Sequence, residues 1–255
     1  LAPTLAPSLA PSLVAAPSVA PAAAVLAVIV SYNTRAMTRR AADSVLVQTP
    51  PGGLRLVIID NASADGSAAA LAAQLKEATV MAAPENLGFG RAVNLAVACT
   101  TGVDGAGSGA DIAPRWILLV NPDTVLRPDA LARLVGFAAA HPGHGVYGGR
   151  FLTPEGTLDP DCCRGHITPW SMVCIASGLT RAFPRSPLFN PEGIGGWDRT
   201  SAREVDMIVG CFCLIEWSVW DRLGGCDERY WLYGEDADLC RRAAALTGRR
   251  PLFTP

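Results

Sequence analysis

Residues 232–240 read LYGEDADLC and set Glu235, Asp236 and Asp238 within four positions, beside Trp231 and Tyr233. Carboxylates this close repel one another, and repulsion of that kind raises a carboxyl pKa. A carboxylate so placed suits general-base work, taking a proton from an attacking hydroxyl. The plainer alternative is an acidic helix start, which the helix dipole favours and which carries no chemistry.

Four further stretches hold residues of chemical interest. Asp60 directly follows an apolar run and is placed either to accept hydrogen bonds from a base or ribose, or to cap a turn. Tyr32 offers a face for stacking a planar ring, or for packing. NLGFG (86–90) supplies glycines that let backbone approach a ligand, although no Walker motif or full GxGxxG follows the first apolar run. In NPDT (121–124), Pro122 fixes a turn, Asn121 can bond back to the backbone, and Asp123 is thrust outward. Asp123 then either serves a hard divalent cation, which takes oxygen ligands and bridges phosphates, or belongs to an Asx turn before a helix.

These residues sit at the ends of recognisable elements. VLAVIVSYN (25–33), LRLVIIDN (54–61) and RWILLVNPD (115–123) are short β-branched apolar runs with polar endings. Such runs read as strands buried on both faces, as in a parallel sheet. Helical patterns lie between them over roughly 35–48, 66–77 (behind Ser63 and Asp65 as capping candidates) and 89–99. Pro128 is the expected first residue of another helix, stopped near His141 by HPG. Strand alternating with helix predicts a doubly wound α/β fold. In open parallel sheets ligands bind at the carboxyl ends of strands, so three polar endings on one rim describe a pocket.

Half of the 255 residues are hydrophobic and the formal net charge is −2, which lacks the basic footprint of a nucleic-acid binder. The eight cysteines form no paired CxxC knuckles and read as small buried hydrophobes in a reducing compartment. Residues 1–24 repeat a Pro-Ser-Ala-Leu theme; proline at that density forbids a helix, so a disordered leader is expected. It has neither the positive start nor the unbroken apolar stretch of a signal peptide. The sequence opens on Leu1 rather than Met, as a fragment or an upstream-extended reading frame would. No apolar run reaches the about 18–20 residues of a membrane span.

VIVSYN, VIIDNASADGS, NLGFGRAVN, LLVNPDT and GGCDERYWLYGEDADLCRR, in this order and spacing, resemble family-2 glycosyltransferases. The likeness is greatest to the rhamnosyltransferase-like members that build bacterial cell-surface polysaccharides, and it runs from about residue 25 onward. It implies a GT-A fold with a nucleotide-sugar half (25–144) and an acceptor half (145–255) on one continuous, mostly parallel, Rossmann-like sheet. It places Val30, Tyr32 and Asp60 around the base, and Asn86 and Gly88 near the ribose and diphosphate. Asn94 falls on the following helix and Asn121 on the donor side. Asp123 takes the last position of a DxD-like motif that holds Mg²⁺ or Mn²⁺; here the motif is NPD, with one aspartate. Asp236 resembles the general base of an inverting single displacement, with Glu235 beside it and able to raise its pKa, while Asp238 serves the helix N-terminus. A dTDP- or UDP-sugar donor, rhamnose among the candidate sugars, and a glycan or lipid-linked acceptor follow from the likeness. So does a cytoplasmic site with peripheral contact to the inner membrane face. In that family a later strand leads to a metal-holding histidine. PLFTP begins such a strand and the sequence ends at Pro255, so the acceptor half is expected to be truncated.

In the acceptor half, Arg164, His166 and Trp170 are types that handle sugars and phosphates, though a lone histidine is more often structural. Gly210 is expected to permit close backbone approach. A non-catalytic nucleotide-sugar-binding module is the main alternative. A nucleotidyltransferase would carry a Gly-rich basic loop after the first strand, where VSYNTRAM has no glycine, and a dehydrogenase would carry the dinucleotide fingerprint.

Overall fold

Every residue of the strand Val25–Ser31 is buried, because apolar side chains leave both of its faces and both faces are covered. In the computed structural model, which describes residues 11–15, 23–102 and 113–255, that strand lies at the middle of the first half. The elements there run β1 (Ser12–Ala15), β2 (Val25–Ser31), α1 (Arg35–Leu46), β3 (Leu54–Asp60), α2 (Ser67–Gln74), β4 (Ala78–Ala82), α3 (Phe89–Thr101), β5 (Trp116–Val120) and α4 (Ala130–Ala140). Shorter pieces follow: β6 (Val146–Gly148), β7 (Phe151–Leu152), β8 (Leu158–Asp159), β9 (Cys163–Arg164), α5 (Pro169–Ala176) and α6 (Leu179–Ala182). Last come β10 (Arg203–Glu204), β11 (Met207–Ile208), β12 (Phe212–Glu216), α7 (Trp217–Leu223), α8 (Glu235–Thr247) and β13 (Leu252–Phe253).

One nine-stranded sheet takes the order β1-β4-β3-β2-β5-β12-β6-β13-β10. Its centre, β4 through β5, is parallel, and β12 joins the two halves by pairing antiparallel with both β5 and β6. Alternate residues of each central strand feed different cores. Leu26, Val28, Ile117, Leu119 and Cys213 meet α3, α7 and α8 on one face. Val25, Ala27, Leu118 and Leu214 meet α1, α2 and α4 on the other. Each such side chain contributes about 1.5–3 kcal/mol by leaving water, so a one-residue slip of any strand would exchange the cores and is strongly opposed. This register sets Ser31 beside Asp60 and Asp60 beside Ala82, on one carboxyl rim.

The leader departs from expectation. Ser12–Ala15 forms an antiparallel strand against β4, with Ser12 opposite Ala82. An uncovered β4 would present a row of unpaired backbone groups, and a short strand there satisfies them. Residues 1–10 and 16–22 of that expected leader lie outside the described residues. Two helix starts also move. Pro128 lies in a turn, and α4 begins at Ala130 behind Asp129, whose φ is +61°. At α2 it is Asp65, not Ser63, that accepts from the Ser67 N–H at 3.0 Å; Ser63 instead ties two rim loops together.

Candidate active site

The three carboxylates of the acidic stretch occupy the first turn of α8, and the fold gives each a different setting. Asp238 is buried and accepts from Arg242 at 2.5 Å and from Arg241 at 3.0 Å. Arg242 reaches on to the Leu223 and Gly225 carbonyls. Asp238 therefore sits in the first turn of α8, as expected, and is in addition ion-paired, with Arg242 tying it to the turn after α7. Glu235 is buried with its Oε2 lacking any hydrogen-bond partner. Burial pushes its carboxyl above the usual range, and the neighbouring Asp236 adds to the shift. Asp236 is half-buried; its Oδ2 accepts from the Gly210 N–H at 3.3 Å and its Oδ1 from the Ala237 N–H at 2.8 Å. The close approach expected at Gly210 is thus to the Asp236 carboxylate.

Gly210 leads into β12, and Cys211 connects the halves. Its carbonyl accepts from the Asn121 N–H at 3.4 Å, which fixes the NPD turn at the end of β5. The Cys211 thiol is pushed up to about 12, first by burial, then by the charge of Asp123, with Asp236 and Asp159 adding. Asp123 is exposed at this rim. Gly210 and Cys211, adjacent in sequence, thus hold the Asp236 carboxylate and the turn that carries Asp123.

At the end of β3, Asp60 is buried. Its Oδ2 accepts from the Ser63 N–H at 2.9 Å, whereas its Oδ1 has no partner. A buried oxygen left orphaned costs roughly 1–3 kcal/mol, so it marks a place where a donor on a ligand would be welcome. The loops beside it are fastened reciprocally: Asn33 N–H to Ser63 Oγ at 2.8 Å, and Ala64 N–H to Asn33 Oδ1 at 3.0 Å. Tyr32 on that loop is 48% exposed, free to offer its ring. Val30, expected at the base, has its side chain in the core with Leu26 and Val28.

The 86–88 loop is bolted down from below. Asn61 donates to Asn86 Oδ1 at 2.9 Å and to the Gly88 carbonyl at 3.1 Å, and accepts from the Leu87 N–H at 2.9 Å. Gly88 has φ +76°, and a Cβ there would stand 2.3 Å from the Trp231 carbonyl oxygen. That approach lets the Phe89 N–H reach the same oxygen at 3.1 Å, clasping the first half to the acidic loop. Asn94, expected on the following helix among the donor-binding residues, has both ends of its amide on the Cys226 backbone, at 2.8 and 2.9 Å. It positions the acidic loop instead.

Asp60, Asn86, Gly88, Asn121, Asp123, Glu235 and Asp236 thus belong to one rim, while Val30 and Asn94 support it from behind. Asn61, Asn33 and Cys211 join the site without having been expected there, and Ser63, expected as a helix cap, binds the Asn33 loop instead. Asn61 had a signal, standing beside Asp60 at a strand end; Cys211 had none. The glycosyl transferase family 2 model matches residues 26–166.

The chain belongs to glycosyl transferase family 2.

Among its relatives are the N-acetylglucosaminyl-diphospho-decaprenol L-rhamnosyltransferases of Mycobacterium tuberculosis strains H37Rv and CDC 1551. Each is 27% identical over 185 residues, covering 72% of this chain and 59% of the relative. The chain therefore spans 59% of the length of the curated relatives it matches. Among solved structures, the mannosyltransferase PcManGT of Pyrobaculum calidifontis, in complex with GDP-Man and Mn²⁺, aligns with TM-score 0.56 at 18% identity. It covers 94% of this chain and 56% of that one. Staphylococcus aureus TarS 1-349 with UDP-GlcNAc aligns at TM-score 0.56 and 14% identity, covering 90% and 55%. The shared architecture is the GT-A glycosyltransferase fold.

Proposed function

We propose that this family-2 glycosyltransferase moves a sugar from a nucleotide-diphosphate donor to a glycan or lipid-linked acceptor, with inversion, in cell-surface polysaccharide synthesis on the cytoplasmic side of a membrane. The observation that carries this reading is that the consecutive residues Gly210 and Cys211 hold the Asp236 carboxylate at 3.3 Å and the Asn121 N–H of the NPD turn at 3.4 Å, which brings the turn bearing Asp123 and the acidic turn to one place. On this reading the nucleoside lies over the β3 end, where the orphaned Asp60 Oδ1 takes a hydrogen bond from base or ribose and Tyr32 stacks. The diphosphate lies along the 86–88 loop toward Asp123. Asp236, held by Gly210 and Ala237, takes the proton of the acceptor hydroxyl as that oxygen bonds to the anomeric carbon and the bond to the diphosphate breaks. The relatives' names support rhamnose as the sugar and a lipid-linked glycan as the acceptor; a dTDP-sugar is the donor we favour.

A divalent cation fits in a limited way. Asp123 is one exposed carboxylate, and among the described residues no group of three His, Cys, Asp or Glu side chains is gathered to hold an ion. Mg²⁺ and Mn²⁺ tolerate such a site when substrate phosphates and water complete the shell. When bound, the ion would offset the charge of the departing diphosphate. Likewise, no helix among the described residues is long and apolar enough to cross a membrane.

The test is a calorimetric screen of UDP-, dTDP- and GDP-sugars with Mg²⁺ or Mn²⁺, followed by a transfer assay. One donor should bind and turn over, and Asp236→Asn should keep that binding while lowering turnover by the ~10²–10⁴ of a lost base. Full turnover in the Asn variant removes Asp236 from the role. Binding of no donor at all leaves the reading without support.

A further inference from the structure

The helix α5 is turned inside out. Its one hydroxyl residue, Ser171, faces inward, closing a reciprocal cap with Thr168 at 2.8 and 3.0 Å. Cys174 is buried beside it, but the larger apolar residues face outward: Met172 is 61% exposed, Val173 52% and Ile175 55%. The face continues sideways. Trp170 donates to the Leu188 carbonyl at 2.7 Å and lies 6.4 Å from the Phe189 ring, which in turn lies 5.2 Å from Phe183. Trp170, Phe183 and Leu188 are themselves exposed. Single exposed apolar residues are ordinary, but a contiguous set marks a surface meant to be covered.

Charge says by what. The chain as a whole carries more acid than base, yet residues 165–191 contain no Asp or Glu. Their charged residues are Arg181 and Arg185, both exposed on either side of Phe183. An apolar helix face with tryptophan and phenylalanine, rimmed by arginine and free of carboxylates, has the chemistry of an interfacial anchor. Its apolar side enters the headgroup boundary while the cations meet anionic lipid.

We propose that the face formed by α5, α6 and the 183–189 loop docks this protein on an anionic lipid surface. The docking uses none of the rim residues, so it stands or falls apart from the transferase reading. The probe is the full 255-residue chain sedimented with vesicles of phosphatidylcholine alone, or with phosphatidylglycerol added. Binding should appear with the anionic lipid, weaken as salt rises, and disappear in Met172→Glu/Val173→Glu. Arg181→Ser/Arg185→Ser should bind the anionic vesicles about ten- to thirty-fold less tightly. Val47→Glu, at an isolated exposed valine of the first half, should bind as the parent does. Should the double Glu variant fail to fold, the arginine variant, which alters exposed side chains alone, decides the matter. Failure to bind anionic vesicles, or unchanged binding in the folded variants, overturns the proposal. So does sedimentation showing a dimer that Met172→Glu/Val173→Glu converts to monomer, since the face would then join two copies of the chain.

Discussion

Two buried carboxylate oxygens without partners, Asp60 Oδ1 and Glu235 Oε2, distinguish the rim from the rest of the described interior, and they call for opposite tests. Asp60 waits for a ligand donor, so Asp60→Ala should weaken binding of the free nucleotide about ten-fold or more, the worth of one charge-assisted hydrogen bond. An unchanged nucleotide affinity in calorimetry, with activity lost, would place Asp60 outside the donor pocket. Glu235 is lifted chiefly by burial, above its ordinary 4.5. The folded state therefore keeps this proton to higher pH than the unfolded chain does. Glu235 thus contributes no penalty below about pH 4.5, and stability falls as pH rises from there through the lifted value. Glu235→Gln removes that loss: its melting temperature should exceed the parent's at pH 7, with the gap closing toward pH 4. A parent that melts higher at pH 7 would show Glu235 held as a favourable anion. The acidic stretch was legible in the sequence as a cluster. The pairing of Asp238 with Arg242 is local to one helix, i to i+4, but the settings of Glu235 and Asp236 were not legible, because Gly90 and Gly210 approach them only through the fold.

The elements that frame the site were readable where both faces of a strand are apolar. β2, β3 and β5 coincide with continuous runs, because burial on both sides leaves little choice of residue. β1 was not readable, since Ser12–Ala15 owes its strand to the open edge of β4 and not to its own composition. α3 shows how an element can serve the site from outside it. Its Asn94 satisfies the Cys226 backbone from the second turn of the helix, and so fixes where the acidic loop begins. Asn94→Ala should cost about 1–3 kcal/mol of stability for two broken bonds to main chain. Turnover should fall further than nucleotide affinity does, because the displaced loop carries Asp236 and not Asp60. Equal losses in both would mean that Asn94 meets the donor directly.

Across the whole molecule the sheet is continuous, and β12 is its keel, pairing with a strand from each half. On the proposed reading Asp123 is the one carboxylate offered to a cation, so the rest of the shell would come from substrate and water. Mn²⁺ should bind this chain detectably with nucleotide diphosphate present and hardly at all without it, as paramagnetic relaxation of water protons would report. Tight binding by the nucleotide-free chain would reveal a protein ligand set beyond Asp123. The likeness in sequence motifs identified the family and the order of the rim segments. It did not reveal the clasp between Phe89 and Trp231, since main-chain contacts leave little trace in side-chain identity, nor the partners of the Asn61 amide, which lie on another loop.

That clasp has a consequence for heredity. The Phe89–Trp231 bond runs from main chain to main chain, so it survives a change of side chain at 231. Trp231 is 57% exposed and Tyr233 82%, so both can be exchanged with small effect on folding. Trp231 and Tyr233, close to Asp236 in sequence, are in this sense exchangeable side chains on a frame held by main chain. A library at these two codons should change the side chains beside the acidic turn while the turn stays where it is.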